Sequence, residues 1–167
     1  MMSTAVQRFC VAALVLGVVL AVPSSEPKAR TAGHAGPGGD FGLGLVLGTP
    51  TGLSAEYFID RANSLHLTLG LDALEGQRLY LSLNWRGYLA SLVDGRRVRL
   101  PIYVGLGGYV ADQELNSFGV RAPLGFSIDF RRNPLNLFFE LGAALELTGD
   151  ESLSARIGGA FGFHFYF

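Results

Sequence analysis

The sequence predicts an all-β chain of eight antiparallel strands in up-and-down order, closed into a barrel. Three observations predict it. From Phe41 onward, apolar residues recur with a period of two, not 3.6. Eight such runs are separated by brief turn signals. Connections this short imply antiparallel neighbours, because a parallel pair needs a crossover of about a dozen residues. Eight is also the smallest common strand number for a closed barrel.

The first run, 41–48, sets Phe41, Leu43, Leu45 and Leu47 on one side and stops at Thr49-Pro50-Thr51-Gly52. The second, 53–60, ends at Asp60-Arg61-Ala62-Asn63. In the third, 65–72, Leu65, Leu67, Leu69 and Leu71 alternate with His66, Thr68, Gly70 and Asp72, before a turn at Glu75-Gly76. The fourth, 79–90, alternates Leu79, Leu81, Leu83 and Trp85 with Tyr80, Ser82, Asn84 and Arg86, before Asp94-Gly95. The fifth, 98–111, and the sixth, 118–130, put their apolar residues at even positions, such as Phe118, Val120, Leu124, Phe126 and Ile128. After Arg132-Asn133-Pro134, the seventh, 135–148, carries Leu135, Leu137, Phe139, Leu141 and Leu145. After Gly149-Asp150, the eighth, 153–167, carries Leu153, Ile157, Phe161, Phe163, Phe165 and Phe167. Pro101 and Pro123 lack a ladder donor and are expected at an edge or bulge.

Composition narrows the class. The chain has 167 residues, 49% hydrophobic and 16% charged; soluble domains average about 25% charged. With 13 Lys+Arg against 14 Asp+Glu, the net charge of −1 gives no reason to expect nucleic acid as a partner. A single Cys excludes a disulfide framework. Residues 1–24 read as a signal peptide: a short polar start with Arg8, an apolar run from Phe9 to Val22, and small residues at Ala21, Ser24 and Ser25. That run is short for a spanning helix, which needs about 20 residues. Residues 25–40, rich in Gly, Pro and Ala, read as a flexible linker, with His34 incidental to it. The barrel occupies 41–167.

The two faces differ sharply. The Leu/Phe face carries no charged residue in any run. The other face carries Arg86, Arg99, Arg121 and Arg156 with Glu56, Asp129, Glu140 and Glu146, four of each sign. It also holds five tyrosines, His66, His164 and eleven glycines. An eight-stranded lumen admits side chains and little else, so it has no room for so many Leu and Phe. Glycines on the polar face give Arg and Tyr space to pack across a narrow interior, whereas on a solvated exterior they would only weaken the strands. The expected arrangement is therefore inside out: apolar toward lipid, ionised groups paired along the axis in one balanced network. His66 and His164 are expected as hydrogen-bonded lumen groups.

The chain ends GGAFGFHFYF. This ending resembles the C-terminal signal of bacterial outer-membrane barrels, which the assembly machinery reads as a terminal aromatic residue with apolar residues two and four before it. Phe167, Phe165 and Phe163 fit that pattern. The segment 41–167 resembles the small eight-stranded outer-membrane barrels formed by the membrane domain of outer membrane protein A and by outer membrane protein X. The resemblance implies a Gram-negative outer membrane, periplasmic termini and a periplasmic linker, outer-membrane lipids and the barrel assembly machinery as partners, and no catalytic residues. It puts Phe41, Phe130, Phe165 and Phe167 at the periplasmic rim.

The functional expectation is an integral outer-membrane protein with a plugged lumen and a structural or envelope role, without catalysis, cofactor or metal. The alternatives are a narrow pore for ions or small solutes, a lipid-modifying barrel enzyme and a secreted lipocalin-like carrier. A hydrolase reading would draw on Ser54, Ser82, Glu56 and His66, but no spacing fixes a nucleophile elbow or an oxyanion hole.

Overall fold

The computed structural model describes residues 37–72, 78–111, 117–147 and 153–167. The expected signal segment 1–24, the expected linker up to residue 36 and three of the turns lie outside the described residues. Eight strands follow in order: β1 (Phe41–Gly48), β2 (Thr51–Phe58), β3 (Asn63–Asp72), β4 (Arg78–Asp94), β5 (Val98–Ala111), β6 (Ser117–Phe130), β7 (Leu135–Leu147) and β8 (Leu153–Tyr166). Each pairs antiparallel with its sequence neighbours, and β8 returns to β1, so the wall is a closed up-and-down barrel. Phe167 N–H donates to Phe41 O at 2.9 Å and extends that closing ladder at its lower end. We call the end with Phe41 and Phe167 the base, and the end with the Thr49-Pro50 turn the mouth.

The register explains the faces. One row of partners runs from His164 through Gly44, Ser54, Thr68, Ser82, Tyr109, Gly119 and Glu146 and returns to β8 at Ser154, ten residues from its start. With strands about 4.7 Å apart and rising about 3.3 Å per residue, that stagger tilts them by about 40° and sets a backbone radius of about 8 Å. The neighbouring row reads Phe163, Leu45, Leu53, Leu69, Leu81, Val110, Phe118, Leu147, Leu153. The first row points inward and the second outward, so a period of two along each strand becomes an unbroken apolar girdle around the barrel. No charged residue falls on the outer face of a described strand. Trp85 lies on that face, and its indole N–H is satisfied by Asn63 Oδ1 at 3.1 Å.

Some boundaries differ from the sequence reading. β2 starts two residues earlier, because Thr51 Oγ1 donates to Gly48 O at 3.0 Å and accepts from Gly48 N–H at 3.1 Å, which confines the turn to Thr49-Pro50. Ile59 and Asp60 leave β2 for the next turn, where Asp60 Oδ1 accepts Ala62 N–H at 2.7 Å. β3 begins at Asn63 and β4 reaches Asp94. Register shifts between Tyr88 and Ala90 and between Ser91 and Val93 break the parity expected for the fourth run. Each inserts one extra residue, so Ala90 faces outward beside Ile102. Pro101 lies opposite these bulges, paired with Ser91, and its own strand keeps its register with β6. Pro123 is neither at an edge nor bulged: its Cγ would lie 2.8 Å from a Cβ at Gly105, and it takes the room that glycine leaves.

Candidate functional site

The lumen is lined from base to mouth by polar and aromatic side chains. At its centre lies Arg86, fully buried. Its Nη1 meets Glu56 Oε1 at 3.3 Å and its Nη2 meets Glu140 Oε2 at 2.6 Å. Its guanidinium carbon also lies over the rings of Tyr103 and Phe138, 4.6 Å and 5.0 Å from their centres, so the cation is held by carboxylates and by two π clouds. Glu140 Oε1 takes a second guanidinium, Arg121 Nη2, at 2.7 Å.

Hydroxyl donors complete the carboxylates. Glu56 accepts from Ser64 (2.7 Å), Tyr88 (2.9 Å) and Tyr166 (2.6 Å). Glu140 accepts from Tyr103 at 3.1 Å. Such bonds offset the desolvation that makes a buried ion pair weak evidence of stability by itself. The composition of the inner face thus has a physical cause: each buried carboxylate needs more donors than one arginine gives, and Tyr166, Tyr103 and Tyr109 reach Glu56, Glu140 and Glu146 over the glycine of the intervening strand.

Nearer the mouth is a second cluster. Glu146 accepts from Arg156 at 3.0 Å, Arg78 at 3.3 Å and Tyr109 at 3.0 Å. Arg156 also lies 3.9 Å from Asp72. Near the base, Asp129 accepts from Asn136 at 2.5 Å and Ser127 at 3.3 Å. Arg99 stands beside Asp129 in the ladder, but its Nε donates to Ser91 Oγ at 2.8 Å.

The eight charges expected in one network therefore fall into separate groups: Glu56, Arg86, Arg121 and Glu140 at the centre, Glu146 and Arg156 above, Asp129 and Arg99 below. Arg78 and Asp72, at strand ends, join the upper group; the inward parity of Asp72 was visible, whereas Arg78 lay outside the fourth run as read from sequence. Phe163, Phe165 and Phe167 point outward and are exposed.

The histidines divide. His164 Nε2 bonds to Ser54 Oγ at 2.9 Å, and its Nδ1 lies 3.5 Å from Glu56 Oε2. His66 corrects the expectation of a hydrogen-bonded group, since neither ring nitrogen has a hydrogen-bond partner among the described residues. It packs edge-on to Phe138 (5.5 Å) and His164 (5.3 Å) as an aromatic ring. The serine, histidine and acid that come into line are thus Ser54, His164 and Glu56, with His164 in the place expected for His66. They meet through closure of β8 on β1, 110 residues apart in sequence. Ser54 is 4% exposed and faces the lumen.

Glycine spaces this packing. A Cβ at Gly125 would come within 2.6 Å of the Tyr103 ring, and one at Gly162 within 2.6 Å of Phe138. At Gly142 it would meet Arg121 Nε at 2.6 Å. Gly142→Val is therefore expected to displace the Arg121 guanidinium from Glu140 and to destabilise the barrel by about 1–3 kcal/mol, the usual range for overpacking. Urea unfolding in lipid, followed by tryptophan fluorescence, measures it.

A cavity of about 220 Å³ opens at the mouth, lined by Asp72, Tyr80, Tyr109, Arg121 and Arg156 among others. Tyr80 and Tyr109 stack there at 5.1 Å. Among the described residues no group of three or more His, Cys, Asp or Glu is arranged to hold a metal. No family model, curated protein or solved structure matches the chain.

Proposed function

We propose that the chain is an integral outer-membrane β-barrel protein of a Gram-negative envelope, with its lumen plugged by its own side chains and a structural or envelope role without catalysis. One observation carries this reading: a complete circuit of large apolar residues faces outward, with no charged residue on that face of the described strands, while the buried ion pairs lie inside the barrel. Soluble monomers rarely expose a contiguous apolar patch larger than a few hundred Å². In hydrocarbon the same surface is the favourable one, and a closed wall leaves few backbone groups without partners. The partners that follow are outer-membrane lipids around the girdle and the barrel assembly machinery at the C-terminal strand, through Phe163, Phe165 and Phe167.

Plugging is supported by the Glu56–Arg86–Glu140–Arg121 cluster, whose members bridge from β2 and β4 to β6 and β7. Protein reconstituted in planar bilayers is expected to give no steady single-channel conductance. A regular, salt-dependent conductance would instead make this a narrow pore. Gel migration that shifts on boiling, after outer-membrane fractionation, tests location and barrel closure together.

A further inference from the structure

The strands of this wall are unequal, and the inequality leaves a gap. β1 ends at Gly48, paired with Ala160, and Thr49 N–H donates to Gly159 O at 3.0 Å. β8 continues past this point toward the mouth as far as Leu153, paired with β7 on one side. Among the described residues, Leu153–Gly158 has no strand on its other side. The mouth cavity meets this gap, for its lining joins interior Arg121, Tyr80 and Tyr109 to Thr49, Gly158 and Ile157 in the wall. Ile157 is 87% exposed on the apolar exterior. The cavity therefore runs from the lumen to the outer surface of the wall.

Its lining has the chemistry of a head-group site. Arg121 makes one hydrogen bond among the described residues, from Nη2 to Glu140, which leaves Nε–H and the Nη1 hydrogens for another oxyanion. A planar guanidinium fork suits phosphate. Among the described residues the arginines in and below the cavity are matched by carboxylates, Arg86 and Arg121 by Glu56 and Glu140, Arg78 and Arg156 by Glu146 and Asp72. A ligand with net charge would upset that balance in a partly desolvated site, whereas a zwitterion brings its own counter-charge. The cavity volume of about 220 Å³ suits a small head group; drug-sized ligands need about 300 Å³ or more.

We infer that the gap between β8 and the β1–β2 turn is a lateral portal through which the mouth cavity takes the phosphate-bearing head of a zwitterionic amphiphile, its chains lying outside against Ile157. This rests on the membrane reading above. The test is native mass spectrometry of the folded protein after titration with phosphatidylethanolamine, with phosphatidylglycerol or with inorganic phosphate. One phosphatidylethanolamine is expected to be retained, about tenfold tighter than either alternative. Arg121→Gln and Ala144→Phe, which fills the cavity without removing a charge, are each expected to weaken it by about tenfold. Retention unchanged in both folded variants, or equal retention of phosphatidylglycerol or phosphate, overturns the inference. The same samples are partitioned in Triton X-114. Recovery in the aqueous phase overturns the membrane reading itself, whereas a detergent-phase protein that retains no lipid overturns the portal alone.

Discussion

Arg86→Met is expected to destabilise the barrel by about 3–5 kcal/mol, the usual consequence of stripping one partner from a buried ion pair. The size follows from what is left behind. Glu56 and Glu140 lose their shared guanidinium and stay buried. Arg121 still meets Glu140 and the hydroxyl donors remain, but Glu56 is left with no guanidinium to neutralise it. Urea unfolding in lipid, or the temperature at which gel mobility shifts, measures the loss. Adding Glu56→Gln to Arg86→Met is expected to recover most of it, because the two partners are then removed together while Glu140 keeps Arg121, and buried ion pairs replaced as a unit are often neutral or better. Arg131 supplies the contrast. It pairs with Asp94 at the base with both side chains about half exposed, and Arg131→Ala is expected to change stability by less than about 1 kcal/mol. Equal effects of Arg86→Met and Arg131→Ala would show that the central cluster does not hold the barrel together.

Leu141→Arg is the second large effect. Leu141 lies midway along β7, outward and 66% exposed. In water such a substitution is close to neutral, within about 0.5 kcal/mol. In a bilayer, an arginine on the lipid face costs about 2–4 kcal/mol at the midplane. Folding yield and unfolding midpoint in lipid vesicles are therefore expected to fall well below wild type. Leu153→Arg, at the mouth end of the same girdle, is expected to cost far less, because the penalty declines toward the interface. The difference between the two sites separates a lipid-exposed surface from one that merely packs badly.

The alternation of Leu and Phe with Arg, Glu, Tyr and Gly made the faces readable before any strand was paired. With only two faces to choose from, one rule of parity covers every regular strand. It fails over Leu89-Ala90-Ser91-Leu92-Val93, which is nearly all apolar, so its sequence carries no sign of the two bulges that turn Ala90 outward. The pairing of charges was less readable. Which arginine meets which acid depends on the ten-residue stagger around the wall, a property of all eight registers that no single strand encodes. That stagger sends Arg86 to Glu56 and Glu140 but leaves Arg99 bonded to Ser91. The same holds for Ser54 and His164, which meet only when the last strand closes on the first. Arg78 and Asp72 sit where strands end, and only the register shows that they reach Glu146 and Arg156.

The account stands on one surface facing hydrocarbon and the other facing the axis. Nitroxide probes on single cysteines introduced at Leu45, Leu141 and Phe161, with Cys10 replaced by Ser, test this in lipid vesicles. The account predicts strong relaxation by oxygen and almost none by a water-soluble nickel chelate at all three, with neither agent reaching a probe at Thr68 or Ser82. Free access of the nickel chelate to Leu45, Leu141 and Phe161 would contradict it.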